Sequence, residues 1–136
     1  MSLKLKFSLK EAGPIEQGLI VLPLIILVTF VCFVIKIKSI YAWNFLLVPL
    51  LLYCVYNAVF SIFYKNLVPY LGLSVLVFSI LCFTVYISGN LVSSISFKNS
   101  LEIRTIANLL PLFYVMFYFF CLVFRFVLQF LQDIDK

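Results

Sequence analysis

The sequence predicts an all-α integral membrane protein with four transmembrane helices, antiparallel and with both termini on the same side. Three observations lead to this fold class. The 136 residues are 65% hydrophobic and 11% charged, which is more apolar surface than one small domain can bury in water. Four uncharged runs are each about 20 residues or longer, enough for a helix to cross a hydrocarbon core of roughly 30 Å. The short connections between the first three runs leave no room for a soluble domain.

The first helix is predicted at about residues 17–36. Glu16 precedes the apolar run, and Lys36 and Lys38 close it. Acidic residues before the run, its membrane-spanning length and the lack of an A-x-A site after it indicate a retained helix rather than a cleaved signal peptide. We predict that residues 1–136 form one transmembrane domain with four helices, in which residues 1–13 are a short basic N-terminal arm.

The second helix is predicted at about residues 40–64. Tyr41 and Trp43 lie at one end and Tyr64 at the other, where amphipathic rings sit at the level of lipid headgroups. Pro49 lies inside this run, and we expect it to produce a simple kink.

The third helix is predicted at about residues 68–88. The uncharged sequence continues beyond this range and is too long for one span, so a stop is needed within it. Gly89 and Asn90 supply the residue types that end helices.

The fourth helix is predicted at about residues 105–129. Asn99 or Ser100, with Glu102, can cap a short turn that leads into it. Pro111 then falls close to the helix start and needs no special explanation.

Four spans place both termini on one side of the membrane. Six Lys and Arg residues then lie on the terminal side: Lys4, Lys6, Lys10, Lys65, Arg125 and Lys136. The other side has four: Lys36, Lys38, Lys98 and Arg104. Because positive charge favours the inside, we expect the termini on the cytoplasmic or matrix side of a bacterial or organelle inner membrane.

The N-terminal arm contains "SLKLKFSLKE", in which apolar residues alternate with lysine and serine. This period of two is typical of a strand, which can add to the edge of a partner's sheet. The alternative is a basic arm on anionic headgroups, with each lysine contributing about 1 kcal/mol of attraction. The sequence leaves both open.

Residue types that carry chemistry are scarce. There is no histidine, and the five acidic residues lie outside the predicted helix cores. The four cysteines fall in separate apolar runs without CxxC spacing, so we interpret them as small buried residues. Basic residues flank apolar runs, which is typical of membrane borders rather than of a nucleic-acid surface. We expect a protein that is not an enzyme, with no cofactor, metal ion or nucleic acid.

Polar residues follow one face of the second helix and one face of the fourth, and these two stripes are the candidates for contacts between helices or with a partner. The stripe on the second helix comprises Tyr53, Asn57 and Ser61. The stripe on the fourth comprises Tyr114, Tyr118, Cys121, Arg125, Gln129 and Gln132, of which we single out Tyr114, Tyr118, Arg125 and Gln129 as contact candidates. Mid-membrane amides such as Asn57 more often bond to a neighbouring helix than line a pathway.

Arg125 is placed by its distance along the fourth helix. Twenty residues separate it from Thr105, which at roughly 1.5 Å per residue spans the hydrocarbon core of about 30 Å. An arginine there can extend to the interface. Glu16 lies at a similar depth, so we predict that Glu16 or a partner's carboxylate pairs with Arg125.

These features favour a non-catalytic accessory or scaffolding subunit of a larger membrane protein complex, in contact with membrane lipids and with other subunits. Missing catalytic groups, minimal loops and bulky aromatic spans support this expectation. The alternative is a small homo-oligomeric channel or transporter, in which the two polar stripes line a route between protomers.

Overall fold

A computed structural model describes residues 13–37, 39–64, 66–93, 97 and 100–134. They form four α-helices: α1 Pro14–Ile35, α2 Ser39–Ser61, α3 Leu67–Val92 and α4 Leu101–Ile134. Each helix is long and apolar enough to cross a membrane. The prediction of an all-helical chain with four such helices is confirmed. The N-terminal arm, apart from Gly13, lies outside the described residues, and so does the strand or surface role predicted for it.

The two ends of α1 follow local rules. Pro14 occupies the first turn, where its missing N–H would have no intrahelical partner. At the other end Lys36 takes a left-handed conformation with φ 51°, and its N–H bonds to the Cys32 carbonyl. This reversal terminates the helix before Ser39 begins α2.

The predicted end of α2 is wrong by three residues, because the helix stops at Ser61 rather than near residue 64. Tight turns follow, in which the N–H of Phe63 bonds to the Phe60 carbonyl at 3.1 Å and that of Tyr64 to the Ser61 carbonyl at 3.3 Å. The carbonyl of Tyr64 therefore lies outside the regular helix.

The predicted end of α3 is also wrong, since the helix continues through Gly89 and Asn90 to Val92. A side chain at Gly89 would overlap the indole ring of Trp43 on α2. The glycine therefore allows two helices to pack closely, and this packing offsets its low helix propensity, which costs about 1 kcal/mol relative to alanine.

The start of α4 lies four residues earlier than predicted, at Leu101. The hydroxyl of Ser100 accepts a bond from the N–H of Ile103 at 3.3 Å, so Ser100 caps the helix as its residue type suggested. Pro111 consequently lies in the helix interior, and its expected position near the start is wrong.

Packing divides the helices into a group of three and a fourth. The backbones of α1, α2 and α3 lie close to one another pairwise, whereas α4 runs alongside α2. Gly18 of α1 meets Val77 of α3, where a larger residue would overlap the valine. An apolar core follows the seams between the helices and includes Ile25, Leu46 and Leu81.

Candidate functional site: a buried polar junction

Asn57 connects α2 to the three other helices. Its amide nitrogen donates to the Gln17 side-chain oxygen of α1 at 2.9 Å and to the Tyr70 hydroxyl of α3 at 3.2 Å. Its amide oxygen accepts from the Tyr114 hydroxyl of α4 at 2.8 Å. The side chain is fully buried. We call Gln17, Asn57, Tyr70 and Tyr114 the polar junction.

Tyr70 makes two further hydrogen bonds within the polar junction. Its hydroxyl donates to the backbone carbonyl of Asn57 at 2.9 Å and accepts from the Gln17 amide at 3.3 Å. The neighbouring Ser74 hydroxyl bonds to the Tyr70 carbonyl at 2.7 Å. Because an unpaired amide or hydroxyl is costly in an apolar interior, these mutual bonds favour a single relative placement of the four helices.

The other two residues of the α2 stripe are buried as well, but they bond differently. The Tyr53 hydroxyl donates to the backbone carbonyl of Ser74 on α3 at 3.2 Å. The Ser61 hydroxyl donates to the Ala58 carbonyl of its own helix at 2.6 Å. Tyr53 is therefore a contact between helices, whereas Ser61 satisfies itself locally.

Tyr114 and Tyr118 of the α4 stripe face the α2 stripe inside one copy of the chain. The Tyr114 ring stacks on Phe78 of α3 with 4.9 Å between ring centroids. One turn further, the Tyr118 hydroxyl is buried without a hydrogen-bond partner in the described part of the chain. The Ser61 hydroxyl lies close to it but donates to Ala58 instead.

Arg125 binds the end of α2. A guanidinium nitrogen donates to the Tyr64 carbonyl at 2.8 Å, which lies just beyond the C-terminal end of α2. The predicted pairing of Arg125 with Glu16 is not the bond formed among the described residues. Glu16 instead lies near the Tyr64 hydroxyl. A carboxylate oxygen of Glu16 and the hydroxyl oxygen of Tyr64 both fall within 3.0 Å of the point that a Cβ atom at Gly13 would occupy.

These contacts place the start of α1 and the later turns of α4 at the same end of the bundle. Pairing of Arg125 with a partner's carboxylate stays a prediction. Gln129 belongs to α4, but its side chain lies outside the described residues.

Gln17 and Tyr70 belong to the junction, although neither was predicted as a contact residue from the sequence. Gln17 was only the first residue of a predicted span. An uncharged amide just inside an otherwise apolar run was the one available signal, because such a group requires a partner at that depth. Tyr70 gave no signal, since a tyrosine near a helix end is equally typical of the membrane interface.

The junction contains no formally charged side chain, so its amides and phenols exchange hydrogen bonds rather than form ion pairs. Within the described ranges, no group of three or more histidine, cysteine, aspartate or glutamate residues is arranged to hold a metal ion. The arrangement is suited to fixing helices relative to one another.

Fold and site together define a class, a small all-α protein whose four helices have membrane-spanning length and meet at a neutral polar junction. Comparisons with known proteins go no further: no family model, no curated protein and no solved structure matches the chain.

Proposed function

We propose that the chain is an integral membrane protein that serves as a non-catalytic accessory or scaffolding subunit of a larger membrane complex. The one-sided packing of α4 carries the proposal. In the apolar part of α2 50% of residues are buried, but in that of α4 only 17% are, the lowest share of the four described helices and slightly below the 22% of α1. A helix with one close neighbour leaves most of its circumference for lipid or for another chain.

The uncovered surface of α4 is unusually aromatic. Seven phenylalanines on it are exposed: Phe113, Phe117, Phe119, Phe120, Phe124, Phe126 and Phe130. Aromatic side chains provide large contact areas with few rotatable bonds, which suits them to interfaces between proteins. This composition favours a protein neighbour along α4 in addition to lipid.

The polar junction supports a structural role. Its groups bond to one another and lie inside the protomer, so they are directed away from the surface where a second copy would contact α4. A channel route between protomers, the alternative function, would have to be lined by other residues. In the proposed topology both termini face the cytoplasmic or matrix side of an inner membrane.

Site-specific photo-crosslinking tests this proposal in intact membranes. A photoreactive phenylalanine analogue is placed at Phe120 or Phe124 of α4, and at Phe30 of α1 as the matched control. We expect the α4 positions to give one discrete adduct with an unlike membrane protein, and the α1 position to give none.

The mass of the adduct decides between the candidate functions. An adduct at twice the 15.7 kDa chain mass would favour the homo-oligomer and contradict the accessory subunit. Labelling of lipid alone from both α4 positions would also contradict it, because α4 would then have no protein neighbour.

A further inference from the structure

A cavity of about 610 Å³ opens at the end of the bundle where α1 begins. The start of α1, the α2–α3 connection and the first turns of α3 form its walls. Five described residues give it an apolar lining: Pro14, Ile15, Phe63, Pro69 and Leu73. Its volume lies within the range of roughly 300–1,000 Å³ that is usual for small-molecule sites.

A carboxylate lies on the wall of this cavity. Among the described residues that line it, Glu16 alone has a formal charge. A Cβ atom placed on Gly13 would lie 2.7 Å from a carboxylate oxygen of Glu16 and 3.0 Å from the hydroxyl oxygen of Tyr64. The two oxygens are therefore close enough for one ammonium group to bond to both, because two N–H···O bonds together span about 6 Å.

The level of the cavity indicates where its ligand comes from. Glu16 lies in the first turn of α1, a helix of 22 residues that measures about 33 Å and matches the hydrocarbon core. Headgroups lie at the ends of such a helix and acyl chains lie beside it. A ligand with a cation at the Glu16 level and an apolar tail fits both the charge and the lining.

We propose that this cavity binds an aminophospholipid, with the primary ammonium of the headgroup at Glu16 and an acyl chain against the apolar walls. A primary ammonium has three N–H donors for the two oxygens, whereas a choline headgroup has none. The proposal rests on the membrane insertion proposed above but not on an accessory role.

The test uses the full chain, purified in detergent and analysed by native mass spectrometry with defined lipids. Phosphatidylethanolamine is compared with phosphatidylcholine and phosphatidylglycerol of the same acyl chains. We expect retained adducts with phosphatidylethanolamine. Glu16→Gln should reduce its apparent affinity about tenfold, the order expected for losing one charge-assisted hydrogen bond.

Two further variants distinguish the effect of the Glu16 charge from that of the cavity shape and from nonspecific effects of mutation. Glu102→Gln changes the acid in the first turn of α4, at the other end of the bundle, and should leave the affinity unchanged. Leu73→Trp fills the cavity and should block the lipid with the carboxylate still present. Circular dichroism checks that each variant keeps its helix content.

Three results would overturn the inference: equal retention of phosphatidylcholine, unchanged binding by Glu16→Gln, or competition by soluble ethanolamine at the affinity of the lipid. The last would indicate a site for free amines.

Alkaline carbonate extraction of membranes tests insertion separately. Release of the chain contradicts the proposed function, whereas a retained chain without lipid preference contradicts only the inference.

Discussion

The two ends of α2 are joined to the rest of the molecule by different means. Towards its C-terminus, Asn57 bonds to α1, α3 and α4 through the polar junction. Near its N-terminus the Trp43 indole packs where α3 has Gly89, and the Phe97 ring lies 5.7 Å away between centroids. We call Trp43, Gly89 and Phe97 the indole contact.

The polar junction and the indole contact differ in how each favours one arrangement of the helices. Hydrogen bonds depend on direction and leave costly unpaired groups when helices slide, so the polar junction discriminates strongly against wrong registers. The indole contact depends on shape, because a ring fits only where the facing residue has no side chain. In the proposed membrane location the hydrophobic effect between helices would be absent, so both contacts would act through close packing and satisfied polar groups.

Breaking the polar junction at its centre should have the largest effect. Asn57→Leu leaves the Gln17 oxygen and the Tyr114 hydroxyl without their Asn57 partner. We expect the free energy of unfolding, measured by SDS titration in mixed micelles, to fall by about 2–3 kcal/mol.

Asn44→Leu is the matched control for that variant. It changes an exposed asparagine of the same helix and should not destabilise the protein. Equal losses in the two variants would contradict a special role of the junction.

Adding one methyl group at the indole contact should have an intermediate effect. Gly89→Ala places a carbon against the Trp43 ring and should lower the free energy of unfolding by about 1–2 kcal/mol. The fluorescence spectrum of Trp43, the single tryptophan, should shift as the ring moves.

Gly72→Ala provides the control on the same helix. A methyl group there has no neighbour within 4 Å, so stability should be unchanged or slightly higher because alanine favours helix. An unshifted Trp43 spectrum in Gly89→Ala would contradict the close contact.

Removing one hydroxyl from the polar junction should have the smallest effect. Tyr114→Phe deletes the bond to Asn57 and should cost about 0.6–1 kcal/mol, the typical value for one such bond in a membrane protein. Tyr118→Phe is the same change one turn further along, at a buried hydroxyl without a hydrogen-bond partner in the described part of the chain. It should be neutral or stabilising, and a loss equal to that of Tyr114→Phe would contradict the contacts reported for both tyrosines.

Much of the fold could be predicted from the sequence because the length and apolarity of a segment are local properties. Residues 17–36 and the three runs after them each correspond to a helix. The ends were less predictable. Gly89 has the residue type of a helix stop, and only the position of Trp43, 46 residues earlier in the sequence, explains why α3 continues through it.

For the candidate site, the sequence predicts which residues of one helix share a face, but not which residues of different helices meet. A spacing of four placed Tyr53, Asn57 and Ser61 on one face of α2, and all three are buried. Periodicity within a helix contains no information on which residue of another helix lies opposite. For that reason neither Gln17 nor Tyr70 was identified as a partner of Asn57.

Segment length, apolarity and periodicity are enough to predict four helices of membrane-spanning length and the faces on which their polar residues lie. Which of these groups meet depends on how the helices pack. Arg125 illustrates the division: its predicted level near one membrane interface follows from counting residues along the fourth helix. Its bond partner follows from tertiary packing, because α4 packs on α2 and brings the guanidinium to the Tyr64 carbonyl just beyond Ser61, the last residue of α2.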